Sequence, residues 1–133
     1  PDAVLVNQEE NRKVDVDALH AAGLPVIVTF PRQVADVPAL LDLLGGLVDA
    51  GKAARAYGDA VRAALAAGRP SRQRRVFCPI WRNPWMTFNR DTFAHDLLDW
   101  CGGDNVAAAR PERYPVATLA EIAASDPEVV LLP

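Results

Sequence analysis

The sequence predicts an α/β protein whose strands run parallel. Three observations carry that expectation. Ala3-Val4-Leu5-Val6 and Val129-Val130-Leu131-Leu132 are short, unbroken apolar runs, as strands buried on both faces of a parallel sheet require. The first 30 residues read as strand, helix, strand. A helical stretch of about 30 residues then separates that unit from a second half in which strand and helix patterns alternate again.

In order along the chain, the run ending at Val6 is the first strand. Asp15 is the expected cap of a helix through Leu19 that stops at Gly23, with Pro25 just beyond. Residues 25–30 are rich in β-branched side chains and give the second strand, closing a βαβ unit with a right-handed crossover. Asp36 is the next expected N-cap, with Pro38 in the first helical turn. Leu40, Leu41, Leu43, Leu44, Leu47 and Val48 make an apolar face, and Gly45, Gly46 and Gly51 predict a break or kink. Residues 52–67 are alanine-rich and helical, ended by Gly68-Arg69-Pro70. Laid end to end, the two helical segments would reach about 45 Å.

Residues 75–80 read as a strand and residues 81–90 as an aromatic loop. Asp91 is the expected cap of a helix with Phe93, Ala94, Leu97, Leu98 and Cys101 on one face, stopped by Gly102-Gly103. Thr118-Leu119-Ala120-Glu121 is a capping-box pattern opening a further helix. Residues 128–132 form the last strand, and its Pro-acid-apolar opening echoes that of the first.

Composition bounds the function. The 133 residues have room for about one domain, and half are hydrophobic, enough for a core. Net charge is −3, from 14 basic and 17 acidic residues, without the concentrated basic face that a nucleic-acid partner needs. Arg69, Arg72, Arg74 and Arg75 read as a solvated linker. No apolar run approaches the ~20 residues of a membrane-spanning helix. Cys78 and Cys101 fit either a disulfide or two buried thiols, and their spacing matches no metal motif. Pro1-Asp2 opens almost inside a strand and Pro133 follows another. Domains seldom start and stop on core strands, so a fragment is expected, with any targeting sequence lying outside it.

Ligands of open parallel sheets gather at the carboxyl ends of strands. Trp81, Arg82, Trp85, Met86 and Phe88 fall in a loop at such an end. That apolar load predicts either a platform for a large flat ligand or side chains folded back over the core. The loops after the first two strands bring Asn7, Glu9 and Glu10, and then Phe30-Pro31-Arg32, to the same kind of edge. The polar trio reads as the rim of a ligand site or, preferably, as a solvated turn. Tyr114 is one more aromatic, held between charges and a proline, and ligand contact and plain packing suit it equally. Enzyme chemistry fits poorly. There is no Gly-rich phosphate loop and no recognisable carboxylate pair. His20 and His95 read as surface or core-edge residues without a ligand-type partner at helical spacing. Cys78 reads as an inert buried thiol, and Asp96 and Asp99 as a solvent face.

The strings Pro1-Asp2-Ala3-Val4-Leu5-Val6 and Ala21-Ala22-Gly23-Leu24-Pro25-Val26, then Val76-Phe77, Asn83-Pro84, Thr87, and Cys101-Gly102-Gly103-Asp104-Asn105, followed by Tyr114-Pro115 and Asp126-Pro127-Glu128-Val129-Val130, resemble the helical-backbone periplasmic binding proteins of ABC importers. The cobalamin-binding and ferric-chelate-binding members are the nearest likeness, and it covers nearly the whole chain. The resemblance implies two Rossmann-like lobes with parallel sheets bridged by a long helix, of which this chain is a central fragment. Residues 1–35 would end the N-terminal lobe, residues 36–70 would be the bridging helices, and residues 71–133 would start the C-terminal lobe. It implies capture of a corrinoid-type ligand in a cleft between lobes, without catalysis or a cofactor, and delivery to a permease dimer with its ATPase subunits. It further implies a monomer in the periplasm or on the outer face of the membrane, with or without a lipid anchor. Tyr114 stands where relatives place a cleft aromatic before proline, and Met86, with Trp85 beside it, stands near a second. Relatives dock through a surface acid that would fall at Ala120, with Glu121 next to it. Cys101 matches a family cysteine whose disulfide partner would lie beyond Pro133. A ferric-siderophore or haem receptor of the same family is the alternative, kept open by Arg82 and Arg90. From another class, a metallocluster-type enzyme subunit would need cysteine ligands that two cysteines do not supply, and a stand-alone interaction domain would require this fragment to fold by itself.

Overall fold

The computed structural model describes residues 1–132. The chain forms two compact units, divided between Pro31 and Arg32.

The first unit is the βαβ element read from the sequence. Strands β1 (Val4–Asn7) and β2 (Val26–Thr29) flank helix α1 (Lys13–Ala21). They pair in parallel, Val4 opposite Val26 through Asn7 opposite Thr29. Gly23, at φ 74°, ends α1 with two reversed hydrogen bonds, Gly23 N to His20 O and Leu24 N to Leu19 O. Both satisfy carbonyls at the helix end in a conformation that costs glycine nothing. Two expectations are corrected. Asp15 does not cap α1; Arg12 holds the N-cap position, and Asp15 sits in the first turn, ion-paired with Arg12 at 2.9 Å. Nor are the apolar runs buried on both faces. Val6 is buried, but Leu5 and Val28 are 51 % exposed, because within this unit α1 covers only part of the two-stranded sheet.

The second unit opens with a single 3-10 turn, Val34–Asp36, and helices α2 (Val37–Leu47) and α3 (Gly51–Ala67). Asp36 precedes α2 as expected but spends its carboxylate elsewhere: it accepts from the Arg32 and Gln33 backbone N–H groups. Those bonds hold its pKa below the ordinary carboxylate value, the Arg32 amide first among them. The break between helices falls at residues 48–50, where Asp49 adopts φ 54°. Gly45 is a buried residue inside α2. A Cβ there would overlap the Ala54 methyl of α3, and one on Gly58 would lie 3.7 Å from Pro38. The helices therefore fold back on each other, and the end-to-end reach of about 45 Å is not realised. Arg62 of α3 reinforces the pairing across to Asp42, at 3.4 Å.

Strands β3 (Arg74–Phe77), β4 (Gly103–Asn105) and β5 (Val129–Val130) form a parallel sheet in the order β4-β3-β5. Helix α4 (Phe93–Trp100) crosses from β3 to β4, and α5 (Leu119–Ala124) precedes β5. Thr92, not Asp91, caps α4, accepting from the His95 N–H at 3.2 Å. Thr118 and Glu121 form the expected capping box on α5. Val76, Cys78, Phe88 and Leu98 make the core, with Ala94 against it. Leu97 and Cys101 of the expected apolar face are exposed instead. Both cysteines are free, and burial pushes the Cys78 thiol pKa up.

The charges are more engaged than a solvated linker and a solvent face would be. Asp96 accepts from the Val34 N–H at 2.6 Å. Arg69 reaches Asp96 and Asp99 and lies 4.0 Å over the Trp100 ring. Arg74 pairs with Glu128 and Arg75 with Asp126. One face of α4 thus holds both the entry to α2 and the exit from α3.

Candidate functional site

The aromatic loop is a short hairpin standing on the carboxyl end of β3. Ile80 N donates to Met86 O at 2.8 Å and Met86 N to Trp81 O at 3.1 Å. The tip carries Asn83 at φ 63° before a cis Pro84, and asparagine tolerates that left-handed conformation better than most residues. A second strand-like segment supports the hairpin from outside. Thr87 N donates to Pro115 O, Asn89 N to Arg113 O and Ala117 N to Trp85 O, all at 2.9–3.0 Å. The spacing is that of an antiparallel ladder between residues 85–89 and 113–117.

The ladder sorts the side chains. Phe88 is 2 % exposed and packs in the core, so it turns no face to a ligand. Trp81 bridges Met86, and Met86 bridges Val116. Directly opposed residues of an antiparallel pair share a face, so these three form one row. Trp81 is 65 % and Val116 48 % exposed, with Met86 half-buried. Exposure alternates along residues 114–117, placing Tyr114, 38 % exposed, on the same side as Val116. Beside the row, Pro79, Ile80, Trp81, Arg82, Trp85 and Leu132 line a concavity of about 280 Å³. It lies where β3 and β5 end, and the Arg82 guanidinium sits 5.7 Å from the Trp85 ring centroid.

The other singled-out residues stand on other loops and elements. In the first unit, Asn7 Oδ1 accepts from the Glu9 N–H and Asn11 Oδ1 from the Asn7 N–H, each at 2.8 Å. The loop is closed by its own bonds, as the turn reading has it. Asn7 also borders a separate 320 Å³ hollow with Val6, Val16 and Val28. Phe30 is half-buried just past β2. Glu121 is exposed, and its carboxylate accepts from the Thr118 backbone N–H (2.8 Å), from Arg110 (3.0 Å) and from the Thr118 hydroxyl (2.9 Å). Together, the backbone bond first, these lower its pKa to about 2. Ile80, Val116 and Leu132 join the site without having been singled out in the sequence. Val116 could have been found from its place two residues after Tyr114, and the other two depend on tertiary structure.

Among the described residues no group of three or more His, Cys, Asp or Glu could hold a metal ion, and no helix is long and apolar enough to cross a membrane. The chain shares its fold with about half of each periplasmic binding protein of known structure that it superposes on, as the sequence resemblance implied. A vitamin B12-binding protein of Vibrio parahaemolyticus is 23 % identical over 134 residues, 98 % of this chain and 49 % of that protein. The crystal structure of the periplasmic vitamin B12-binding protein BtuF of Vibrio cholerae superposes with a TM-score of 0.81 at 17 % identity, over 99 % of this chain and 53 % of that one. The periplasmic heme-binding protein RhuT of Roseiflexus sp. RS-1 gives 0.80 at 19 % identity, over 99 % and 54 %. The chain spans about half the length of the curated relatives it matches. No protein-family model matches it.

Proposed function

We propose that the chain is part of the substrate-binding component of an ABC importer, and that its aromatic row takes one flank of a corrinoid-type ligand for delivery to a permease. The observation that carries this reading is the exposed row of Trp81, Met86 and Val116, with Tyr114 on the same side, beside a concavity at the carboxyl ends of β3 and β5. Large apolar side chains held in the open by a hydrogen-bonded hairpin suit a flat, partly apolar partner. The names of the relatives, vitamin B12-binding among the curated proteins and vitamin B12- or heme-binding among the structures, support the same class. They also support work in the periplasm. Arg82, charged and beside Trp85, favours a second reading in which the ligand is haem or a ferric siderophore. Glu121 is the candidate docking acid toward the permease; its carboxylate stays ionised in any physiological medium.

The test is a titration of the full-length protein with cyanocobalamin, haemin and a ferric siderophore, followed by tryptophan fluorescence. Trp100 lies under Arg69, so a Trp100→Phe background leaves Trp81 and Trp85 as the reporters among these 133 residues. Saturable quenching by cyanocobalamin is the expected result. Quenching by haemin or the siderophore alone would select the second reading, and none by any of the three would sink the importer assignment.

A further inference from the structure

We infer that Thr87 is a positioning residue that presets the aromatic surface before any ligand arrives. Its side chain is the most deeply buried of the described residues, 1 % exposed. The hydroxyl donates to the Cys78 carbonyl at 2.7 Å, while the backbone N–H of the same residue donates to Pro115 O at 3.0 Å. One residue therefore ties the hairpin in two directions, to the end of β3 and to the segment carrying Tyr114 and Val116. Between the tied points, residues 80–84 are exposed and Trp85 and Met86 half-buried, and Ile80, Trp81, Arg82, Trp85 and Met86 all hang from this clasp.

Further buried polar groups anchor the chain on the far side of Thr87. Asn105 Nδ2 donates to Phe88 O at 3.0 Å, and its Oδ1 accepts from the Ala107 N–H at 2.9 Å. Thr92 Oγ1 donates to Asn89 O at 3.0 Å, and Asn89 Nδ2 donates to Arg110 O at 3.1 Å. The route from core to platform thus runs through backbone carbonyls held by side chains of fixed reach. A platform ordered in advance loses less freedom on binding, so the clasp should be read out as affinity. The inference rests on the ligand reading above for its effect on affinity, but not for its effect on loop order.

The experiment uses the full-length protein in the Trp100→Phe background, comparing Thr87→Val, Thr87→Ser and Thr87→Ala. Valine keeps the branched shape without the donor, and serine keeps the donor without the methyl. Iodide quenching of Trp81 and Trp85 without ligand reads loop order, and the Kd for cyanocobalamin and for haemin reads the consequence. Thr87→Val is expected to raise the quenching constant about two-fold and the Kd about 10-fold, as loss of one buried hydrogen bond allows. Thr87→Ser should stay near the parent in both. Unchanged quenching and affinity in Thr87→Val, or Thr87→Ser impaired as much as Thr87→Val, would overturn the inference in favour of plain packing. If Thr87→Val does not fold, the serine and alanine variants decide: serine tight and alanine loose supports the clasp, and equality refutes it. Should neither ligand bind the parent, the ligand reading fails, while the quenching comparison still judges Thr87.

Discussion

The loops after β1 and after β3 both leave the carboxyl end of a parallel strand, and they solve the same problem in opposite ways. The β1 loop is tied mostly by its own bonds: Asn7 and Asn11 satisfy nearby amides, Gln8 N reaches Thr29 O of β2, and little beyond polar side chains faces out. The β3 loop borrows its support from residues 113–117, almost thirty positions downstream. That leaves Trp81 and Val116 exposed and Phe88 inside. A loop tied mostly by its own bonds holds no apolar face open. A loop braced from outside can do so.

Substitutions at four positions test this contrast. The largest concerns the inner half of the β3 loop. Phe88→Ala should cost about 3–5 kcal/mol in a urea titration, whereas Phe88→Leu should fold and bind ligand like the parent. A small loss in the alanine variant would mean that the hairpin is not rooted in the core. Next comes the outer half. Trp81→Ala should change stability by no more than about 0.5 kcal/mol yet weaken ligand binding about 10-fold, some 1.4 kcal/mol, as read by calorimetry. Asn7→Ala should show the reverse pattern, losing about 1 kcal/mol of stability with Kd unchanged; a Kd shift as large as that of Trp81→Ala would erase the distinction between the loops.

The smallest effect lies at the far end of the brace, where Arg110 and Thr118 hold Glu121. Its pKa is lowered from 4.5 to about 2. A carboxyl more acidic in the folded state stabilises the fold above its unfolded pKa and loses that contribution as pH falls. The stability gap between the parent and Glu121→Gln should therefore be full at pH 7, shrink between pH 4.5 and about 2, and vanish below. A gap that persists in more acidic solution would assign it to the amide rather than to the charge.

Local patterns were legible in the sequence where local physics decides. The βαβ unit followed from apolar runs and a glycine stop, and the α5 capping box from Thr118 and Glu121 alone. The resemblance supplied the class of fold. What escaped is non-local. Strand β4 is Gly103-Asp104-Asn105, residues of poor strand propensity made a strand by pairing with β3. The cap of α4 lies one residue beyond Asp91, at Thr92, and α1 starts after Arg12 with no side-chain cap bond, so Asp15 falls inside its first turn. Trp81 and Phe88 look alike as apolar residues of one loop, and only the ladder with residues 113–117 sends one out and the other in. Asp96 and Arg69 read as solvated charges because their partners, Val34 and Trp100, come from other elements.

Gly45 reads in the sequence as a helix breaker, yet it sits inside α2 with no room for a methyl against Ala54. The two positions are consequently coupled by sterics. A methyl at 45 is shut out while 54 is alanine, and a glycine at 54 would remove that overlap but leave the Gly51 Cα 3.3 Å away. Substitutions at these two sites should be inherited together rather than one at a time.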